Sequence, residues 1–173
     1  MPAPSPSGPP DTDAVASALR RRLIAIQLDP VSIGRGTPDQ DQERRVASFD
    51  LIEEGTFGLP GHDGGPYRLH LALREAKLVL EVGDEGGTPV CAHVLSLTPL
   101  RSLLRDYRLI CDSYYAAIRT ATPAQIVAID MGRRGLHDEA AEVLQARLAG
   151  KIEADFATFR RLFTLVAALH WKG

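Results

Sequence analysis

Residues 67–97, YRLHLALREAKLVLEVGDEGGTPVCAHVLSL, decide the fold of this 173-residue chain. They contain three apolar or alternating segments, at 67–74, 77–82 and 90–97, separated by the turn-like sequences REAK and GDEGGTP. Short segments joined in this way are typical of an antiparallel β-meander. Successive side chains of a strand point to opposite faces, so Arg68 and His70 share the face that Leu69 and Leu71 avoid. One face of the sheet is therefore predicted to be partly polar.

A strand and a helix are predicted before the meander. The short apolar run LIAIQL, residues 23–28, predicts the strand. The sequence TPDQ at 37–40 combines a hydroxyl N-cap, a proline at the first helical position and the glutamine of a capping box. It predicts a helix that begins there and ends near residue 54. Val46, Phe49 and Ile52 recur at three-residue steps and are predicted to form the buried face of this helix.

Three helices are predicted after the meander. TP at 98–99 begins the first, and TPAQ at 122–125 begins the second with another capping box. The two glycines of MGRRG, residues 131–135, each disfavour a helix by about 1 kcal/mol relative to alanine. This stretch therefore either breaks the second helix or lets its backbone approach another group closely. The third helix spans about 155–170 and is apolar around most of its circumference, so it must be buried in the core or against another chain.

These elements predict an α+β fold in the order β-α-β-β-β-α-α-α, with a small, mostly antiparallel sheet packed on one face by helices. The length fits one domain and a tail. Five of the first ten residues are proline, and proline has no N–H to donate to a hydrogen-bond ladder. Residues 1–20 are therefore predicted to be a disordered Pro-rich tail, and residues 21–173 a single α+β domain.

Composition excludes several classes of protein. A formal net charge of -2 gives no general attraction to nucleic acid or anionic lipid. The start lacks the apolar stretch of a secretory signal and no long uncharged apolar run follows, so we expect a cytoplasmic protein with no membrane contact. Cys91 and Cys111 lie in apolar runs without the paired spacing of a zinc site, and they are predicted to be small buried hydrophobes. We expect no cofactor and no metal.

Several segments together resemble a known family. They are SIGRGTPDQDQER, GGPYRLHLAL, HVLSLTPLR, SYYAAIRTATPAQIVAIDMGRRGLHDEA and, near the C-terminus, RRLFTL and LHW. The resemblance is to an uncharacterised alphaproteobacterial protein family, and it covers about residues 23–172. It implies a small cytoplasmic protein whose gene often lies near that for histidinol dehydrogenase. Because no activity is attached to the family, the resemblance transfers no catalytic residue.

Arginines beside glycines form the first candidate site. The segments Gly34-Arg35-Gly36 and Gly132-Arg133-Arg134-Gly135 could bring backbone N–H groups and guanidinium donors to a phosphate or carboxylate. The anion-binding candidates are Arg35, Arg68, Arg133 and Arg134. Neither segment matches a phosphate loop or a dinucleotide-binding motif. Turns beside surface arginines that pair with helix carboxylates would explain the same residues.

Histidines and a carboxylate form the second candidate site. His62 and Asp63 lie on a glycine-rich loop and His70 on the polar strand face, so these three could converge for acid–base catalysis. They are weak catalytic candidates, because no metal-ligand or triad spacing accompanies them, and the catalytic residues stay unknown. His93 is predicted to be a core histidine with its ring hydrogen-bonded.

Apolar helical surface forms the third candidate site. The predicted interface residues are Tyr114, Phe156, Phe159 and Phe163, because a small sheet offers limited area to cover so many apolar helices. Such a surface favours a helix-mediated homodimer, although a well-packed monomer would explain the same residues.

The function predicted from these features is that of a non-enzymatic regulatory or adaptor protein. It is expected to bind a protein partner or a second copy of itself rather than a small molecule. One alternative is a small enzyme or sensor that binds a phosphorylated or carboxylated metabolite through the glycine-flanked arginines. A second alternative is RNA binding, because helix, GRRG and helix are similar to the backbone-clamping loop of KH modules. The order of elements does not fit a KH fold, so nucleic acid is not the favoured partner.

Overall fold

A computed structural model describes residues 8–9 and 11–169 of the chain. Its elements are α1 Thr12–Arg20, β1 Leu23–Leu28, α2 Pro38–Glu54, β2 Tyr67–Arg74, β3 Lys77–Asp84, β4 Pro89–Ser96, α3 Arg101–Thr120, α4 Pro123–Leu148 and α5 Phe156–Ala168. A short 3-10 helix, Thr98–Leu100, leads into α3. The α+β class and the predicted order of elements from β1 to α5 are confirmed.

The four strands form one sheet in the order β1-β2-β3-β4. The pairs β2–β3 and β3–β4 are antiparallel, as the meander predicts. In contrast, β1 runs parallel to β2, with Leu28 opposite Leu71. The sheet is therefore mixed. A parallel pair requires a crossover connection, and α2 provides it between β1 and β2.

Local side-chain chemistry begins two of the helices as predicted. Thr37 accepts a hydrogen bond from the Gln40 backbone N–H, while the Gln40 side chain accepts one from the Thr37 N–H. Thr122 and Gln125 repeat this capping box at the start of α4. Each box satisfies backbone donors that the first helical turn leaves unpaired.

Helices cover one face of the sheet. Leu69, Leu71 and Leu80 point from the sheet into a core that also contains Leu144 of α4 and Phe163 of α5. The opposite face carries the exposed or half-buried side chains of Arg68, His70, Glu81 and Val94. The predicted packing on one face and the partly polar second face are both confirmed.

The predicted buried face of α2 is wrong. Val46 is 48% and Phe49 is 60% exposed, and Ile52 is half-buried. The buried residues are instead Arg44, Ala47 and Leu51. A strict three-residue step drifts around a helix of 3.6 residues per turn, whereas steps of three and four keep side chains on one face. Arg44, Ala47 and Leu51 are spaced by three and four residues and therefore share one face. The guanidinium of Arg44 is buried because it donates hydrogen bonds to backbone carbonyls.

The structure resolves the open question about MGRRG, because α4 runs without interruption through residues 131–135. It also differs from the predicted tail, since Asp11 caps a helix, α1, that has no buried residue. The division into a tail and one domain stays a prediction. The last helix ends at Ala168, and the predicted end at residue 170 lies outside the described residues.

None of the helices in the described part of the chain is both long and apolar enough to span a bilayer.

Candidate functional site

The arginines of MGRRG are held by a neighbouring carboxylate. Arg133 donates from Nη2 to Asp130 across 2.6 Å, and Arg134 lies 3.0 Å from the same carboxylate. The Arg133 guanidinium also sits over the Tyr114 ring, 4.3 Å from its centroid. Because this stretch is helical, its backbone N–H groups bond within α4 and cannot form the loop-like anion cradle expected from the glycines.

The other two anion-binding candidates lie on different elements. Arg68 points from the open face of the sheet and donates from Nε to the backbone carbonyl of Glu85 across 2.8 Å. Arg35 is exposed in the loop between β1 and α2. The four arginines predicted as anion-binding candidates are therefore distributed over a loop, a strand and α4.

The weak catalytic candidates do not converge. The Nδ1 atom of His62 lies 2.8 Å from the hydroxyl of Tyr67, whose ring is buried on the helix-covered face of the sheet. Asp63 pairs with Arg20 across 3.2 Å. His70 points from the opposite face, 3.3 Å from the carboxylate of Glu81. The sheet therefore separates His70 from the loop that holds His62.

No group of three or more histidine, cysteine, aspartate or glutamate side chains is placed to hold a metal ion within residues 8–9 and 11–169. Both cysteines are half-buried and unpaired with each other. Burial raises the pKa of the Cys91 thiol and that of the Cys111 thiol. A raised pKa keeps each sulfur in the protonated form, which is the weaker nucleophile.

Two histidines are engaged in packing. His93 lies 3.6 Å from the Cys91 sulfur on the helix-covered face of β4. His137 of α4 stacks on Tyr107 with ring centroids 5.6 Å apart, and its Nε2 lies 2.7 Å from the Arg160 carbonyl of α5. Burial lowers the pKa of His137, which favours the neutral ring. His137 therefore joins α3, α4 and α5 rather than facing a cleft.

Two of the predicted interface residues belong to the core. Phe159 is 2% and Phe163 is 0% exposed, because α5 packs between α2 and α4. Their side chains are covered within the chain itself and offer no surface to a partner. Phe156, 37% exposed, begins α5 at the surface. Tyr114 is half-buried beneath Arg133.

Exposed apolar side chains concentrate on α3 and α4, the two helices of an antiparallel hairpin. Only Ala117 is buried on α3, and the first part of α4, residues 123–139, contains no buried residue. Five apolar side chains on these helices are more than half exposed: Leu109, Tyr115, Ile118, Val127 and Met131. We define the hairpin surface by the last four, which lie within ten residues of the turn between α3 and α4.

An open cleft of about 460 Å³ lies between β1 and α2. It is the environment of Arg35, and the side chains around it include Ile26, Leu28, Arg44, Arg45, Phe49 and Ile52. Of the predicted anion-binding residues, Arg35 lines this cleft, and Arg68, Arg133 and Arg134 do not.

Residues 20–172 match the model of an uncharacterised protein family, UPF0262. The chain belongs to the UPF0262 family. A UPF0262 protein of Brucella canis is 61% identical over 159 residues, which cover 91% of this chain and 99% of that protein. A UPF0262 protein of Agrobacterium fabrum is 59% identical over 152 residues, which cover 88% of this chain and 96% of that protein. No solved structure shows significant similarity to the chain.

Both organisms are alphaproteobacteria, so the predicted resemblance is confirmed. UPF0262 membership assigns no activity, partner or residue role. Candidates for a function therefore come from the structure of this chain. Sequence reasoning missed Arg44 and Arg45 because an ERR sequence on an amphipathic helix is typical of a solvated face. The spacing of Arg44 three residues before Ala47 and seven before Leu51 was the available signal.

Proposed function

We propose that this UPF0262 member is a non-enzymatic regulatory or adaptor protein that works by binding protein through the hairpin surface. The observation that carries the proposal is the exposure of Tyr115, Ile118, Val127 and Met131. They lie on α3, which buries only Ala117, and on the part of α4 before residue 140, which contains no buried residue. Apolar side chains that cluster on a surface, rather than occurring singly, are typical of protein-interaction sites.

The composition of the hairpin supports this proposal. Residues 109–131 contain only three charged side chains, which are Asp112, Arg119 and Asp130. Depletion of charge together with aromatic residues and methionine is the compositional feature of interface cores. The surrounding parts of α3 and α4 are richer in charged residues than the chain as a whole, which fits a polar rim.

The occupant that the charges favour is a second copy of this chain. Asp112 and Arg119 are exposed and, among the described residues, neither has a partner. They are seven residues apart, so they lie on one side of α3 and about 10 Å apart along its axis. An antiparallel pair of α3 helices related by a twofold axis near Tyr115 would set each Asp112 opposite the other copy's Arg119. A twofold interface of this kind is self-complementary.

Ion pairs at such a rim would define the register more than the strength of the dimer. Exposed pairs contribute only about 0.2–1 kcal/mol each, whereas like charges in opposition suppress wrong arrangements. The burial of Tyr115, Ile118, Val127 and Met131 would provide the main stabilisation, because association removes their apolar area from water.

The distribution of the other candidates is a reason for preferring a binding function. His62 and His70 lie on opposite sides of the sheet, so they form no common acid–base centre. Arg133 and Arg134 are both paired with Asp130, which reduces the positive charge that an RNA backbone would meet on α4. Protein binding through the hairpin needs neither group.

Sedimentation equilibrium of the full chain tests the proposal. We expect a mass of two chains at micromolar concentration, and a mass of one chain for Tyr115→Glu combined with Met131→Glu. Val94→Glu is the matched control, because Val94 is similarly exposed on the open face of the sheet. A wild-type chain that stays monomeric throughout the concentration range would overturn self-association.

Charge reversal tests the proposed arrangement of the two copies. Asp112→Arg and Arg119→Asp should each weaken the dimer about tenfold, since each creates two like-charge contacts across the twofold axis. The double variant should restore the wild-type dissociation constant. If both single variants weaken the dimer and the double variant weakens it further, the antiparallel α3 pairing is wrong.

A further inference from the structure

The cleft between β1 and α2 has the dimensions of a small-molecule site. Its volume of about 460 Å³ lies within the range of roughly 300–1,000 Å³ that is usual for ligand pockets. None of its lining residues belongs to α3 or α4, the helices that carry the hairpin surface.

Apolar side chains from two elements line the cleft. Ile26 and Leu28 come from β1, and Phe49 and Ile52 come from α2. Phe49 is 60% exposed, although it stands beside three other apolar side chains. A ligand that covers exposed apolar area in a concave site lowers the free energy, because that area leaves water.

The unpaired charge at the rim of the cleft is positive. Arg35 is exposed and has no partner among the described residues. Among the described residues, Arg45 hydrogen-bonds only to the side-chain oxygen of Gln42, through Nε and Nη2, so its Nη1 is available. The acidic lining residue, Asp41, already accepts from the Gly36 N–H at 3.0 Å and from Arg44 at 3.3 Å.

Arg44 fixes the loop that carries Arg35. Arg44 is 6% exposed, and its Nη1 donates to the Gly34 carbonyl across 3.0 Å. Gly34 itself has a φ of 67°, a left-handed conformation that favours glycine. The backbone is therefore held on both sides of Arg35, at Gly34 by Arg44 and at Gly36 by Asp41. A cation on a fixed loop binds an anion at a lower entropic cost than one on a mobile loop.

We propose that this cleft binds a small amphipathic anion, with an alkyl or aryl body and a single carboxylate or phosphate head group. The body would lie on Ile26, Leu28, Phe49 and Ile52, and the head group would pair with Arg35 and Arg45. Arginine binds both head groups through its planar donors, so the two share one chemistry. This ligand site is independent of the hairpin surface and of the proposed dimer.

Isothermal titration calorimetry on the full chain tests the site with four probes: octanoate, octyl phosphate, octanol and inorganic phosphate. We expect saturable binding of at least one octyl anion, and the preferred head group distinguishes carboxylate from phosphate. Octanol lacks the charge and inorganic phosphate lacks the apolar body, so each should bind about tenfold more weakly or worse. No saturable binding of either octyl anion, or equal binding of octanol, would overturn the proposal.

Paired variants assign the binding to the cleft. Arg35→Gln and Arg45→Gln should each weaken binding of the octyl anion about tenfold, and Phe49→Ser should weaken it similarly. The controls are Arg147→Gln on α4 and Val94→Ser on the sheet, both exposed and outside the cleft. All five residues are exposed, so the variants should fold. Equal affinity in the cleft variants and the controls would show that the anion binds elsewhere.

Discussion

The guanidinium of Arg44 donates from Nε to the backbone carbonyl of Ala168 across 2.9 Å. Its Nη2 donates to the next carbonyl, that of Leu169, across 3.3 Å. These carbonyls belong to the C-terminal end of α5, where the last turn leaves acceptors without an intrahelical partner and a positive charge is favourable. A residue of α2 therefore caps α5 from 124 positions away in the sequence.

Removal of the Arg44 side chain is predicted to destabilise the chain strongly. Arg44→Met keeps the apolar stem but leaves the carbonyls of Gly34, Ala168 and Leu169 without their donor, at a cost of about 3 kcal/mol. Urea denaturation monitored by circular dichroism measures the change. Arg45→Met is the matched control, because Arg45 is exposed, and its effect should stay within about 0.5 kcal/mol.

The elements that sequence predicted correctly have local causes. The capping boxes of Thr37 and Thr122, and the alternation along residues 67–74, depend on neighbours a few positions away. The buried face of α2 could not be predicted in the same way. It depends on the docking of α5, whose free carbonyls make the burial of Arg44 favourable. The parallel pairing of β1 with β2 likewise depends on tertiary contacts rather than on neighbouring residues.

Leu51 on the buried face of α2 and Phe49 on its exposed face are predicted to differ in their contribution to stability. Leu51 is 1% exposed, so Leu51→Ala should destabilise the chain by about 3 kcal/mol through lost burial and a residual cavity. Phe49 is largely exposed, and Phe49→Ala should change the free energy of unfolding by less than about 1 kcal/mol despite the larger truncation. Thermal and chemical denaturation of the two variants side by side measures both. A larger loss for Phe49→Ala would mean that another group covers this residue.

The candidate site was predicted less well than the fold, for a physical reason. Sequence shows which side chains can bind anions or transfer protons, but convergence depends on which face of which element carries them. Arg35 was recognised as a cation beside glycines. Arg44 and Arg45, which line the same cleft, lie on α2 in a sequence typical of a solvated helix face. His62 and His70 are eight positions apart yet lie on opposite sides of the sheet.

Stability is predicted to depend on pH through His137. Burial lowers the pKa of His137 from its ordinary value of 6.5. The unfolded chain therefore takes up a proton near pH 6.5, at a higher pH than the folded chain does, so acid favours unfolding. The stability from the neutral ring is complete above that pH and falls as the pH drops toward the folded pKa. One such proton changes the free energy of unfolding by at most about 1.4 kcal/mol per pH unit.

Urea titrations between about pH 5 and pH 8 test this dependence. The surroundings of the ring include Tyr107 on α3, Arg133 and Asp138 on α4, and Arg160 on α5. His137→Gln keeps an N–H donor for the Arg160 carbonyl and removes the titration, so it should flatten the profile. His93→Gln is the control. A profile with the same slope in the wild type and in His137→Gln would exclude His137 as its source.

The two glycines of α4 are predicted to respond differently to alanine. Gly135 is exposed and helical, and an added Cβ would meet no atom within 4 Å apart from its chain neighbours and the nearby backbone of α4 itself. Gly135→Ala should therefore stabilise the chain by about 0.5–1 kcal/mol, because alanine loses less backbone entropy in a helix. At Gly132 an added Cβ would lie 2.9 Å from Cδ1 of Ile110 on α3. That side chain would have to rotate, so Gly132→Ala should gain less or nothing. Denaturation midpoints of the two variants measure the difference, and a destabilising Gly135→Ala would mean that α4 is not continuous through MGRRG.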